Sequence, residues 1–277
     1  MEERVLILAK TYPALSKKYG ELVCTAGIRE NGEWVRIYPV PFRTLDEYQR
    51  YKKFQWVRLS LQRNTKDWRK ETFRPVSLVS MHVEEKIPSE RKKQRRELIN
   101  RTRIYTNLDE LVAEAKQKDT HKRVSLATFK PAKILGVEYE VNKDLPDEKD
   151  IRAAEQKMNE PTLFDEPGED RKMIRAARQV PYKFYYRIED DCGRQSCMMI
   201  IDWEISMLFR NCLKTNPEEV ALKKTVAVYE GFAKKNDVYL FLGTTLQFHM
   251  VGSQPFMIIG VYPDVKKPAD PQMFLFE

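Results

Sequence analysis

Histidine, cysteine and glycine are scarce in this chain, and each shortage excludes something. The three histidines, His82, His121 and His249, lie far apart in sequence. A His-based catalytic triad therefore has no sequence support. The four cysteines are Cys24, Cys192, Cys197 and Cys212. Their placement fits no disulfide scaffold and points to a reducing, cytoplasmic setting. Cys192 and Cys197 stand wider apart than the usual zinc pair, and Cys212 and His249 are remote. No metal site and no cofactor is expected. The ten glycines form neither a Walker-type loop nor a Gly-x-Gly-x-x-Gly run. No apolar run approaches the ~20 residues of a membrane span, so no membrane partner is expected. Met1 to Arg4 leads straight into the strand-like Val5-Leu6-Ile7-Leu8, so no signal peptide is expected.

What the chain does have is positive charge. Hydrophobic residues make up 42% of the 277, enough for a substantial core, and charged residues make up 32%. The formal net charge is +8, which favours polyanion partners such as DNA, RNA or an acidic membrane face. The charge is concentrated: from Arg50 to Lys133 there are about 23 Lys and Arg against about 10 Asp and Glu.

The pattern predicts a mainly β chain with added helices, of the α+β class. Strands are expected at 5–9, 22–29, 34–40, 55–61, 77–83, 123–128, 133–139, 182–189, 196–202, 238–244 and 256–262. Helices are expected at 90–101, at 108–116 with Asn107 as N-cap, at 147–157, and at 218–235. Asp202 reads as the N-cap of a helix starting at Trp203. These elements suggest an N-terminal module over 1–141 with a basic helical insertion, a linker and helical segment over 142–180, a C-terminal module over 181–264, and a flexible tail over 265–277.

The first hairpin is the most informative stretch. Asn31-Gly32 between two alternating runs predicts a two-residue turn. In that register, Cys24, Ala26, Ile28, Val35 and Ile37 form one apolar face, and Thr25, Gly27, Arg29, Trp34, Arg36 and Tyr38 form the other. Two aromatics beside arginines suit a nucleic-acid platform, because rings stack on bases and guanidinium groups meet phosphates. The alternative for Trp34 and Tyr38 is burial beneath a helix or another strand. Lys17 and Lys18 in the preceding loop, Arg43 beyond the hairpin, and Trp68, Arg69 and Arg74 in a segment mixing basic and aromatic residues complete the candidate contact set. The run Arg91-Lys92-Lys93-Gln94-Arg95-Arg96 suits phosphates or a solvated helix surface equally.

Lys10-Thr11-Tyr12-Pro13, Leu15-Ser16-Lys17-Lys18-Tyr19, Val23-Cys24-Thr25-Ala26-Gly27-Ile28 and Gly32-Glu33-Trp34-Val35-Arg36-Ile37-Tyr38-Pro39 together resemble the start of prokaryotic proteins with two OB-containing domains. Leu240-Phe241-Leu242-Gly243-Thr244 and Phe256-Met257-Ile258-Ile259-Gly260 fit the same resemblance. It implies two OB-like β-barrel modules and a nucleic-acid role in mobile-element or genome-conflict settings, and it carries no catalytic residues. Gln272-Met273-Phe274-Leu275-Phe276 resembles the short peptide that bacterial proteins insert into the DNA sliding clamp. That resemblance implies that Gln272 bonds at a groove entrance while Met273, Leu275 and Phe276 fill apolar pockets. The alternative is a tail packed back as an edge strand.

Two other functions remain open at this stage. Asp202 and Glu204 after a strand suggest a metal-dependent nuclease or a nucleic-acid-modifying enzyme, although no lysine stands at a persuasive spacing. An adaptor or inhibitor that binds only protein is the third reading. The reading favoured here is a non-catalytic binder of single-stranded DNA or RNA.

Overall fold

The computed structural model describes residues 2–160 and 173–266. The elements run β1 (Glu2–Lys10), β2 (Ala14–Ser16), β3 (Gly20–Ile28), β4 (Trp34–Val40), β5 (Gln55–Arg63), β6 (Thr72–Pro75), β7 (His82–Lys86), α1 (Lys92–Ile99), β8 (Ile104–Tyr105), α2 (Leu108–Ala115), β9 (Leu126–Phe129), β10 (Lys133–Val141), α3 (Glu148–Met158), β11 (Tyr182–Glu189), β12 (Gln195–Ile200), α4 (Trp203–Leu213), α5 (Glu218–Lys235), β13 (Asn236–Thr244) and β14 (Phe256–Val265). The chain is mainly β with helices added, as its periodicity predicts. No described helix is long and apolar enough to cross a membrane.

The first sheet closes on itself. Its ring runs β1–β3–β4–β6–β5 and back to β1, with β4 and β6 parallel and the other neighbours antiparallel. Closure removes the exposed edges that a short sheet would otherwise offer. The second sheet runs β10–β11–β12–β14–β13–β9–β8, with β12 and β14 parallel. Strands β9 and β10 follow one another in the chain, separated only by Lys130-Pro131-Ala132. Pro131 has no N–H for a ladder, which suits an interruption at this point. Taking β9 and β10 as one bent strand, both sheets follow the same plan. The first strand pairs with the second and the fourth, and the third runs parallel to the fifth.

Strand β1 shows why its sequence is apolar without a break. Val5 and Ile7 point into the first barrel, with Val23, Val35, Ile37 and Val57. Leu6 and Leu8 point outward, into a second cluster with Ala26, Ile28, Phe54, Leu126, Phe241 and Ile259. A strand buried on both faces has no polar side to alternate with. The outer cluster joins the two sheets. Strand β13 divides in the same way: Phe241 joins this shared cluster, while Leu240 and Leu242 enter the interior of the second sheet.

Three expectations need correction. The boundary at residue 141 is too late, because β8, β9 and β10 all pair within the second sheet, so the sheets divide between Lys86 and Ile104. The 142–180 segment carries α3, which packs on β2 and β3 of the first barrel, rather than serving only as a connector. The first hairpin turns through three residues, not two. Arg29 N donates to Glu33 O at 2.9 Å, Gly32 N donates to Arg29 O at 3.0 Å, and Gly32 takes φ +90°. Three-residue loops with glycine in the left-handed region are a regular alternative to the two-residue turn. The register moves by one, so Ile28 opposes Trp34, Gly27 opposes Val35 and Ala26 opposes Arg36. A one-residue slip exchanges faces. Trp34 and Arg36 therefore share the outward face with Ala26 and Ile28. Strand β6 was hidden inside the segment that reads as a basic, aromatic loop.

The helix starts follow the sequence closely. Asn107 Oδ1 accepts from Glu110 N at 2.9 Å, and Asp202 Oδ1 accepts from Glu204 N at 3.1 Å.

Candidate functional site

The outward face of the hairpin is not an open platform, because the second sheet covers part of it. Trp34 meets Phe241 edge-on at 5.6 Å, and its Nε1 is buried with no hydrogen-bond partner among the described residues. Arg36 is only 2% exposed. Its guanidinium donates to Thr72 Oγ1 at 3.0 Å, Ser125 Oγ at 2.9 Å, Ser125 O at 2.9 Å and Thr244 O at 3.4 Å. Arg69 is buried beside it, forked onto Asp67 and donating to Thr244 O. Glu71 accepts from Ser125 N at 3.1 Å and Ser125 Oγ at 2.8 Å. Arg36 and Arg69, two of the five arginines in the expected contact set, instead join the barrels through buried polar contacts. Burial works against the charge of Arg36 and is opposed by Glu71 and Asp67.

Trp68 and Arg69 belong to the loop between β5 and β6, which is laid against the second sheet. Trp68 meets His249 edge-on at 4.7 Å, and Arg123 stands 5.0 Å over the Trp68 ring. The Nε2–H of His249 donates to Ala115 O at 2.7 Å, and its Nδ1 lies 2.7 Å from Thr244 Oγ1. Burial lowers the His249 pKa. A neutral ring then accepts the Thr244 hydroxyl proton at Nδ1.

Beside this junction the barrels leave a cleft of about 840 Å³. That lies within the range of small-molecule and nucleotide-sized pockets. Its floor is apolar, built from Leu126, Ile200, Met257 and Ile259. Lys18, Lys66 and Arg74 stand exposed on its rim, and among the described residues none has an acidic group within 4.0 Å. Tyr19 and Tyr38, each 36% exposed, present rings beside these cations. Partial burial, with Cys24 next in effect, raises the Tyr38 hydroxyl pKa. Burial likewise raises the Cys24 thiol. Both groups are therefore neutral at physiological pH.

Of the ten expected contact residues, Lys18, Arg36, Tyr38, Arg69 and Arg74 line this cleft. The others do not join them. Arg29 pairs with Glu3 at 2.6 Å and lies over Phe73, and Arg43 pairs with Glu21 at 2.8 Å. Lys17 is exposed on the turn between β2 and β3. Trp34 and Trp68 serve the junction. Sequence reasoning missed Tyr19 as a site residue. It read Lys66 only as part of a basic, aromatic segment, and that interleaving was the available signal.

Asp202 is buried. Besides capping α4, it accepts from Val261 N at 3.3 Å and lies 3.8 Å from Lys53, which also binds Glu204 at 2.7 Å. Burial pushes the Asp202 carboxyl upward against the pull of Lys53. Lys10 stands 4.0 Å over Phe42 and 5.1 Å over Trp203, and burial lowers its pKa to about 8. Among the described residues, no group of three His, Cys, Asp or Glu is placed to hold a metal. Gln272, Met273, Leu275 and Phe276 lie outside the described residues.

The fold and cleft define a mainly β protein with a site between two similarly ordered sheets. Residues 105–277 match the family described as Domain of unknown function (DUF8757), and residues 1–101 match Domain of unknown function (DUF8758). The first match spans more than half of the chain, which belongs to the DUF8757 family. No curated protein matches it. One similar solved structure is "Structure of murine DNA binding protein bound with ds DNA", 11% identical, covering 98% of this chain and 97% of that one at a TM-score of 0.31. A likeness that weak carries no argument about what this chain binds.

Proposed function

We propose that the cleft binds single-stranded DNA or RNA. The observation that carries this reading is the pairing of an apolar floor with half-exposed tyrosines and a rim of cations that lack acidic partners among the described residues. Unpaired bases stack on aromatic rings whatever their identity, and phosphates follow positive charge. Lys18, Lys66 and Arg74 meet phosphates in this reading, and Tyr19 and Tyr38 meet bases. Arg36 and Arg69 shape the cleft from behind.

Fluorescence anisotropy with labelled single strands and duplexes across a salt series tests it. Three phosphate contacts predict a log K against log salt slope of about −2 for single strands. Tyr38→Ala is expected to weaken binding by roughly 5- to 150-fold, one stacked base contributing about 1–3 kcal/mol. Arg74→Ala is expected to flatten the slope by about 0.7. Absence of binding to every probe at low salt sinks the proposal.

A separate proposal rests on sequence alone: Gln272, Met273, Leu275 and Phe276 dock on a bacterial sliding clamp. Deleting residues 272–276 is expected to abolish capture of the clamp and leave single-strand binding unchanged. Clamp capture that survives the deletion rejects it.

A further inference from the structure

The basic run 91–96 has a role that the cleft does not use. Helix α1 sorts its side chains. Arg95 turns inward, donating to Ile87 O at 2.6 Å and lying 4.1 Å over the Phe54 ring, and Arg96 pairs with Asp264. Arg91, Lys92 and Lys93 remain exposed. The first turn of α1 contains no acid, and its N-cap makes no side-chain bond. Cations gathered at the positive end of a helix are electrostatically unfavourable, and a bound anion relieves them.

This helix start borders a groove of about 710 Å³. Lys52, Lys86, Lys92 and Arg95 line it, and among the described residues none has an acidic group within 4.0 Å. Among the described residues the one acid in the lining, Glu204, is held by Lys53 at 2.7 Å. The groove is therefore cationic, over a floor that includes Phe54 and Tyr262. It shares strand β14 with the cleft: Met257 and Ile259 line the cleft, and Val261, Tyr262 and Pro263 line the groove. At roughly 3.3 Å per residue, the two sites lie within about 20 Å along one strand.

We propose that this groove is a second anion site, which takes the phosphodiester backbone of a nucleic-acid strand as it leaves the cleft. The proposal rests on the reading of the cleft for its ligand class. Its basis is charge complementarity with a polyanion over a short, fixed separation.

The test uses single strands of about 5 and about 20 nucleotides, spanning the site sizes of one and several small barrels. The full chain, a Lys52→Glu/Lys92→Glu double variant and Tyr38→Ala are each titrated across salt. Both lysines are exposed, so the fold tolerates the reversal. The double variant is expected to bind the short strand like the parent. With the long strand it is expected to lose about tenfold or more in affinity, with a slope flatter by about 1.4. Parent-like binding of the long strand by the double variant, with Tyr38→Ala impaired, overturns the groove and leaves the cleft standing. Loss at both lengths in the double variant, with Tyr38→Ala unaffected, supports the groove and overturns the cleft. No binding by the parent protein overturns both.

Discussion

Arg36→Ala is expected to lower the free energy of unfolding by about 3–5 kcal/mol, the range for breaking a buried charged network by removing one partner. The cause is what stays behind. Ser125 O and Thr244 O each lose one of two donors in a place closed to water, keeping only Thr244 N and Arg69 respectively. The carboxylates of Asp67 and Glu71 lose a neighbouring positive charge as well. Lysine does not restore the site, since a single ammonium cannot reproduce the fork that spans Thr72, Ser125 and Thr244. Urea titration followed by tryptophan fluorescence measures the change. A loss below about 1 kcal/mol, accompanied by weaker nucleic-acid binding, would return Arg36 to the ligand-contact role that its sequence context suggests.

Phe241→Ala is expected to cost about 3–5 kcal/mol, as for a phenylalanine deleted from a packed core. Phe241 is fully buried in the cluster shared by both barrels, edge-on to Trp34. A Cβ added at Gly260 would lie 3.0 Å from its ring, so the space around it is closely filled. Partial collapse cannot recover the lost contacts, because the ring is gripped from two sheets at once. Thermal and urea unfolding both report it. A change under about 1 kcal/mol would mean that the barrels are not fixed against one another, and a cleft defined by their separation would lose its shape.

Local structure was largely legible in the sequence. Strand Trp34–Val40, strand Tyr182–Glu189 and helix Glu218–Lys235 begin and end where alternation, helical spacing and flanking polar residues place them. The caps at Asn107 and Asp202 were readable because a cap acts within three residues. Longer-range features were hidden for identifiable reasons. Asn31-Gly32 suits a two-residue or a three-residue turn, and only the partner strand decides which. Arg36 looks like a surface cation until Ser125 and Thr244 arrive from far along the chain to receive it. Strands β8 and β9 are short, and β9 reaches its sheet through pairing with β13, more than a hundred residues later. The cleft was half legible: Lys18, Tyr38 and Arg74 were named, but the second wall that makes them a site comes from β12, β13 and β14.

The shared cluster also bears on how such a chain is inherited. Two family matches meet at residues 101–105, a seam at which recombination would be expected to cut. The seam in sequence is not one in space. Helix α3, encoded with the second part, packs on the first barrel, while Trp68 and Arg69, encoded with the first, pack on the second sheet. A gene retaining only one part would expose Leu6, Leu8 and Phe54, or Phe241, Ile259 and Tyr262, as a continuous adhesive surface. Selection against aggregation then ties the two parts together, so lineages that exchange one are expected to exchange both.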